Sequence, residues 1–224
     1  MRAIGLDGFS RGWVAVALDG EARTISFHAS VSDALRGPFD RAGIDIPIGM
    51  QEDGERACDR LARERLRPHV SRVFMGARRW LWQEFSDPDA ANSEAHRRGE
   101  TRVSRQLWYL GRKIMEVDAF VRTYRALDVR EVHPELVFLR LNGGEPLPPK
   151  KSEEGESRRC RLLKRHGFRE IDRWLSQARI GTGAKRDDVL DACAVAIAAC
   201  EPEGCVPSDM TGCDAYGLRM QIWY

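Results

Sequence analysis

The sequence has few of the signals that mark membrane, secreted or zinc-binding proteins. No apolar run approaches the roughly 20 residues that span a bilayer, and no signal peptide precedes the strand-like start MRAIGLDG. The six cysteines form no C-x-x-C pair, and no histidine lies within ligand spacing of two of them. We therefore expect a cytoplasmic protein with reduced thiols, without membrane contact and without a zinc site.

An excess of charge of one sign is also missing. The 224 residues carry 36 Lys and Arg against 34 Asp and Glu, which gives a net charge of +2. This balance does not require a nucleic-acid partner, but it permits one if the basic side chains cluster on one face. The length and the hydrophobic content of 42% suit one large α/β domain or a domain with an insertion.

Five stretches have the apolar patterning of strands: 2–8, 12–18, 23–29, 41–48 and 127–133. Short glycine-containing turns separate the first three, which predicts an antiparallel meander. In the fourth stretch, Pro47 cannot donate a hydrogen bond to a neighbouring strand. We therefore expect Asp45 to lie close to the end of that strand.

Helical patterns fill most of the remaining chain. They cover residues 52–66, 102–127, two stretches within about 158–178, and 185–200. Residues 142–157 are rich in glycine, proline and charge, which predicts a loop. This order predicts a mixed sheet covered by helices, in a single domain over 1–224 with a helical elaboration at about 50–127.

The last predicted helix, KRDDVLDACAVAIAAC, begins with three acids and continues with apolar residues. Capping of the helix N-terminus explains Asp187 and Asp188 as well as a functional role does. Asp191 is surrounded by apolar residues, and a lone buried carboxylate costs several kcal/mol. It therefore needs a basic partner, or a cation that it shares with other carboxylates. The basic side chains considered as partners are Lys185, Arg186 and Arg11.

Two further aspartates interrupt apolar strands close to glycine. Asp7 lies in IGLDG and Asp45 in GIDIPIG, although aspartate is disfavoured within strands. A turn that closes the strand explains Asp7 better than Asp45. In open α/β sheets, ligand sites gather at the carboxyl ends of strands. Together with the acidic helix, these aspartates predict a site for Mg²⁺ or Mn²⁺, because hard oxygen ligands select these ions.

Two neighbouring stretches add residues to this hypothesis. EVHPE supplies Glu131, His133 and Glu135, for which we favour a role as outer-sphere ligand, proton shuttle or substrate contact. A basic run flanks the acidic helix in sequence, and its members either hold phosphates or form a solvated face: Lys150, Lys151, Arg158 and Arg159. The aromatic residues at helical spacing fit the core, or one of them could stack on a base: Trp80, Trp82, Trp108 and Tyr109.

Several stretches together resemble a family, the domain-of-unknown-function family 429, which is expected to contain nucleases of the RNase H-like (RuvC-like) superfamily. They are GLDGFSRGWV, IDIPIGM, ERACDRLARERL, SRQLWYLGRKIMEVD, EVHPELVF, PKKSEEGESRR and KRDDVLDACAVAIAA. The resemblance implies a mixed five-stranded sheet with acids on the first strand, the fourth strand and the last helix. It places these acids at Asp7, Asp45, Asp188 and Asp191, with Asp187 as the helix cap.

The resulting expectation is a metal-dependent nuclease. Asp7 bridges two cations, Asp45 and Asp191 complete their coordination, Asp188 assists, and His133 or Glu131 shuttles a proton. Substrate contacts are expected from Lys150, Lys151, Arg158 and Glu135. Two alternatives stay open. One is phosphoryl transfer on a nucleotide of the actin-like ATPase type, which needs a homodimer, and the other is a non-catalytic binding module that retains the acids as ion pairs.

Overall fold

The computed structural model describes residues 1–178, 182–209 and 212–224 as a mixed α/β protein. Its strands are β1 (Arg2–Phe9), β2 (Gly12–Asp19), β3 (Ala22–His28), β4 (Arg41–Ile44), β5 (Val129–Val132), β6 (Cys205–Val206) and β7 (Ile222–Trp223). The helices found among the described residues are α1 (Val31–Ala34), α2 (Ala57–Arg65), α3 (Arg79–Glu84), α4 (Pro88–Arg97), α5 (Arg105–Thr123), α6 (Pro134–Leu141), α7 (Glu153–Arg165), α8 (Ile171–Ala178) and α9 (Arg186–Cys200), with a 3₁₀ turn at Val70–Arg72. None of them is long and apolar enough to cross a membrane.

The chain divides into two compact units. Unit 1 consists of Met1–Ile46, Ala126–Gly204 and Trp223–Tyr224, and unit 2 consists of Pro47–Arg125 and Cys205–Ile222. Nearly all of the predicted helical elaboration at about 50–127 falls in unit 2. Whether the whole chain behaves as a single domain stays a prediction.

The sheet has the strand order β3-β2-β1-β4-β5-β7-β6 among the described residues. β1, β2 and β3 pair antiparallel, so the predicted meander is confirmed. β1, β4 and β5 are parallel neighbours. The expectation of five strands was wrong, because β6 and β7 add two more. Each of these has only two residues, which is too short to produce a periodic pattern in the sequence.

Several predicted boundaries also needed correction. β4 ends at Ile44 instead of 48, and α5 begins at Arg105 and ends at Thr123 instead of covering 102–127. The predicted loop at 142–157 ends early, because α7 begins at Glu153. The side chain of Ser152 caps α7 by accepting a hydrogen bond from the backbone N–H of Gly155, 3.0 Å away. Helix α6, which starts at Pro134, was not predicted.

The core of unit 1 surrounds α9. Eleven of the fifteen residues of α9 are buried, in agreement with its apolar sequence. The helix packs against β1, β2 and β4 and is flanked by α6, α7 and α8. This placement positions its first two turns, which carry the three aspartates, beside the carboxyl ends of β1 and β4.

Unit 2 is held by buried ion pairs as well as by apolar contacts. Arg79 donates hydrogen bonds to Asp118 and Asp214, and all three side chains are buried. The amphipathic helix α5 packs against α3, where the indole of Trp82 donates to the carbonyl of Trp108, 3.0 Å away. Tyr109, predicted to be in the core or to stack on a base, is exposed on α5.

Candidate active site

Asp7 lies two residues before the end of β1 and Asp45 directly follows β4, so the two aspartates are side by side on parallel neighbouring segments. Leu6 of β1 is in register with Ile44 of β4, and the backbone N–H of Asp45 donates to the carbonyl of Leu6, 3.0 Å away. Neighbouring strands are about 4.8 Å apart, so residues one position beyond a register pair are adjacent and share a face of the sheet. The sheet therefore places two carboxylates next to each other.

Helix α9 contacts this face of the sheet through two glycines. Gly5 and Gly43 are in register and lie two residues before Asp7 and Asp45, on the same face. A Cβ on Gly5 would lie 2.1 Å from the backbone nitrogen of Ala196. A Cβ on Gly43 would lie 2.9 Å from side-chain atoms of Val132 and Val195. The repeated Gly-x-Asp pattern thus combines a docking surface for the helix with the acids of the site.

The first two turns of α9 supply two more carboxylates to this cluster. Asp188 accepts a hydrogen bond from the backbone N–H of Lys185, 2.7 Å away, so Asp188 forms the cap that was expected of Asp187. Asp191 is buried one turn later. Its Oδ1 is also buried and has no hydrogen-bond partner within the described part of the chain. We call Asp7, Asp45, Asp188 and Asp191 the acidic site.

The pKa values of these carboxyl groups reflect their mutual proximity. Burial and then the charges of Asp45, Asp191 and Asp188 raise the pKa of Asp7 well above its ordinary value. Burial and the charge of Asp191 raise the pKa of Asp45 to about 8. The pKa of Asp188 is raised to about 6, mainly by burial. The negative charge gathered here therefore exceeds the positive charge that the protein places beside it.

Lys150 supplies the ammonium group of the acidic site. Its Nζ lies 2.6 Å from Oδ2 of Asp191 and 3.7 Å from Oδ2 of Asp187. Burial lowers the pKa of Lys150, but the charge of Asp191 and the hydrogen bond to it raise that pKa above its usual range. The partner of Asp191 is thus Lys150, and not one of the three basic residues expected from the sequence. Arg186 instead binds Glu156.

A second ion pair borders the acidic site. The fully buried Arg159 donates to Oε1 of Glu135, 2.6 Å away. The charge of Glu135 contributes to the raised pKa values of Asp45 and Asp191, so this carboxylate lies close to them. The burial of Arg159 could have been predicted from its spacing on α7. It lies four residues after Gly155 and three before Leu162, on the buried face of the helix.

The structure gives different positions for the other predicted site residues. Glu131 is in register with Ile44, and its side chain therefore lies on the face opposite to that of Asp7 and Asp45. His133 precedes α6, and its backbone carbonyl accepts hydrogen bonds from Leu136 and Val137. The remaining two predicted substrate contacts, Lys151 and Arg158, are exposed, and Arg158 pairs with Glu154 at 2.9 Å.

The donor chemistry of the acidic site fits a hard divalent cation. As the side chains of the described residues stand, no group of three or more His, Cys, Asp or Glu is arranged as ligands around a metal ion. However, the carboxylate oxygens are of the type that Mg²⁺ and Mn²⁺ bind. The buried Oδ1 of Asp191 is without a hydrogen-bond donor in the described regions. Such an oxygen and an excess of negative charge are both relieved when a cation binds.

Comparison with known proteins identifies a family. The family model described as "Protein of unknown function (DUF429)" matches residues 5–210. The chain belongs to this family. The matched range includes the whole acidic site together with Lys150, Glu135 and Arg159. No curated protein and no solved structure matched the chain.

Proposed function

We propose that the chain is a divalent-cation-dependent phosphodiesterase that hydrolyses nucleic acid. The observation that carries the proposal is the convergence of aspartates from β1, the end of β4 and the first two turns of α9. Buried carboxylates that raise one another's pKa values cost stability, and such groups cluster at functional sites. Clusters of carboxylates that bind metal ions are common at the active sites of enzymes that cleave phosphodiester bonds.

The arrangement of strands supports an RNase H-like fold as part of this proposal. The first five strands occur in the spatial order β3-β2-β1-β4-β5, and β2 is antiparallel to both of its neighbours. The acids lie on the first strand, at the end of the fourth and on the last helix, where the resemblance to RNase H-like nucleases expects them.

Each residue of the acidic site has a proposed role. Asp7, Asp45 and Oδ1 of Asp191 would hold the cation. When bound, a divalent ion lowers the pKa of a coordinated water and stabilises negative charge on the leaving oxygen. The carboxylate of Asp188, whose pKa burial raises to about 6 in the cation-free chain, is the proposed proton acceptor. Asp188 is better suited than Glu131 to proton transfer, because Glu131 lies on the other face of the sheet.

Exposed basic side chains support a polyanionic substrate. Lys151 directly follows Lys150, and α7 presents Arg158, Arg161 and Arg165 to solvent. Cations in such positions attract phosphates and release counterions when nucleic acid binds. In unit 2, the exposed Tyr109 lies one helical turn from Arg105 and from Arg112 on α5, a combination suited to stacking a base between phosphate contacts.

The test is a cleavage assay with the Asp7→Asn variant. Labelled single-stranded, duplex, hybrid and branched substrates are incubated with Mn²⁺ or with EDTA. We expect the wild type to cleave at least one of them only with Mn²⁺, and Asp7→Asn to lose at least about 100-fold in rate. The asparagine side chain can still accept the hydrogen bond that Asp7 Oδ1 receives from the backbone N–H of Gly8, 2.8 Å away, so the fold should be retained.

Asp19→Asn is the matched control, because Asp19 is likewise an aspartate of a sheet strand but is exposed at the end of β2. It should cleave like the wild type. Equal cleavage by Asp7→Asn and wild type, or cleavage by the wild type in EDTA, would refute the proposal.

The close contact between Lys150 and Asp191 favours a second candidate, a non-catalytic binding module in which acids serve as structural ion pairs. A ligand at 100 times its Kd stabilises a protein by about 2.7 kcal/mol. If millimolar Mn²⁺ leaves the melting temperature of the wild type unchanged, the binding module is the better description.

A further inference from the structure

The loop before α7 holds Lys150 in place. The carbonyl of Pro148 accepts a hydrogen bond from Nη1 of Arg159 at 3.0 Å. The carbonyl of Pro149 accepts from the hydroxyl of Ser152 at 2.7 Å. A Cβ on Gly155 would lie 2.1 Å from this same carbonyl oxygen, so only glycine permits the approach of α7. Two prolines and three fixed contacts make the backbone at Lys150 rigid.

The hydrogen bonds of Arg159 connect this loop to the acidic site. Arg159 is fully buried, donates through Nη1 to Pro148 and Gly155, and donates through Nη2 to Glu135. This network fixes the backbone beneath the Lys150 side chain, which is 38% exposed, so the ammonium can leave only by a side-chain rotation that breaks its 2.6 Å hydrogen bond to Asp191. A second divalent cation would have to displace the ammonium from Oδ2 of Asp191 before it could bind that oxygen.

We infer that the Lys150 ammonium is a permanent cation of the acidic site, which takes the place of one of two metal ions, so that the chain binds a single divalent cation. The inference rests on the proposed function and specifies its metal requirement. Nζ of Lys150 is bonded to Oδ2 of Asp191, and its charge acts on both Asp7 and Asp45. The buried Oδ1 of Asp191, which has no hydrogen-bond partner in the described regions, is left for the divalent ion.

Lys150 supplies part of the positive charge that this region needs. Six carboxylates, those of Asp7, Asp45, Asp187, Asp188, Asp191 and Glu135, carry six negative charges when ionised, and Lys150 and Arg159 carry two positive charges. Loss of Lys150 would raise the net negative charge from four to five, so the region would attract a second divalent ion more strongly.

The experiment is a Mn²⁺ titration of the full chain by calorimetry, without substrate, for the wild type and for Lys150→Met. Methionine has a similar length and no charge. We expect one Mn²⁺ per wild-type chain. In Lys150→Met we expect either a second Mn²⁺ or, if only one binds, an affinity at least about tenfold higher, because the repulsion by the ammonium is lost. Lys164→Met, which removes an exposed ammonium at the other end of α7, should bind Mn²⁺ like the wild type.

Two results would overturn the inference. The first is two Mn²⁺ ions, or none, bound to the wild type. The second is a Lys150→Met variant with unchanged stoichiometry and affinity, while its circular dichroism shows a folded chain. Failure of the proposed function is a separate result: the expected binding pattern without cleavage of any nucleic acid would refute the nuclease and leave the single-cation site standing.

Discussion

At the scale of single residues, Asp45 shows how the acidic site lowers the stability of the fold. Burial and the nearby charge of Asp191 raise the pKa of its carboxyl group to about 8, whereas an aspartate in an unfolded chain has a pKa of about 3.9. Between these values the folded chain holds a proton that the unfolded chain releases. In the absence of divalent cations, ionisation of Asp45 therefore destabilises the fold as the pH rises from about 4 to about 8.

Replacement of Asp45 by asparagine should consequently stabilise the protein at high pH. In EDTA at pH 8 we expect Asp45→Asn to raise the free energy of unfolding by about 1–3 kcal/mol, since Asp45 is partly exposed and solvent screens its charge. This corresponds to roughly 2–10 °C in melting temperature. The gain should shrink as the pH falls toward 4, because Asp45 then becomes increasingly protonated in the unfolded chain as well. Thermal unfolding followed by circular dichroism between pH 4 and pH 8 measures both effects.

Asp19→Asn again serves as the control, since this exposed strand-end aspartate should produce no pH-dependent gain. Addition of Mn²⁺ at pH 8 should stabilise the wild type more than Asp45→Asn, because the variant has lost a proposed ligand. A wild type whose stability rises between pH 5 and pH 8 in EDTA, with no gain in the variant, would contradict the raised pKa of Asp45.

Residue identities could be predicted from the sequence more fully than their pairings. Asp7, Asp45, Asp188 and Asp191 stood out because each is an acid in or beside an apolar run. Lys150 was expected to bind substrate, yet it binds Asp191, which is 41 residues away. A residue's type and its local pattern cannot specify a partner at that separation, because the pairing depends on how α7 and α9 pack.

At the scale of elements, the docking of α9 on β1 and β4 decides whether the acidic site forms. The strand periodicity predicted the meander, and the apolar sequence of α9 predicted a buried helix. The short helices α1 and α3 and the two-residue strands gave no periodic signal, because they are one or two turns or one residue pair long. The Gly-x-Asp repeat in β1 and β4 is visible in the sequence, but its meaning depends on the register of the two strands.

A methyl group beneath α9 should therefore separate the helix from the sheet. Gly43→Ala places its Cβ 2.9 Å from the side chains of Val132 and Val195. We expect a loss of about 1–3 kcal/mol, as for other overpacked cores, and weaker Mn²⁺ binding because Asp188 and Asp191 move with the helix. Urea denaturation and Mn²⁺ titration measure the two effects.

The double variant Gly43→Ala/Val195→Ala removes one of the clashing side chains and should recover part of the Mn²⁺ affinity. Gly37→Ala is the control, since a Cβ there meets nothing within 4 Å. If Gly43→Ala binds Mn²⁺ as tightly as Gly37→Ala does, close approach of α9 is not needed for the site.

At the scale of the whole molecule, each unit is assembled from separate segments of the chain. Unit 2 combines Pro47–Arg125 with Cys205–Ile222, and Arg79 joins these segments by binding Asp118 from the first and Asp214 from the second. Oδ1 of Asp214 also accepts hydrogen bonds from the backbone N–H groups of Tyr216 and Leu218, each 2.9 Å away. Composition predicted neither this division nor this link, which spans 135 residues.

Loss of the charge on Asp214 should destabilise unit 2 more than loss of the charge on an exposed aspartate. The Asp214→Asn variant keeps a side-chain oxygen that can accept from the two backbone N–H groups, but it removes one of the two buried carboxylates that neutralise Arg79. Breaking a buried ion pair costs about 3–5 kcal/mol, whereas an exposed pair contributes about 0.2–1 kcal/mol. Urea denaturation should therefore show a much lower midpoint for Asp214→Asn than for Asp89→Asn, whose exposed partner is Arg105 at 3.2 Å.

Equal midpoints for the two variants would mean that the second segment contributes little to the fold of unit 2. A large difference would mean that residues 47–125 need the later segment to fold, because only that segment supplies the second carboxylate to Arg79.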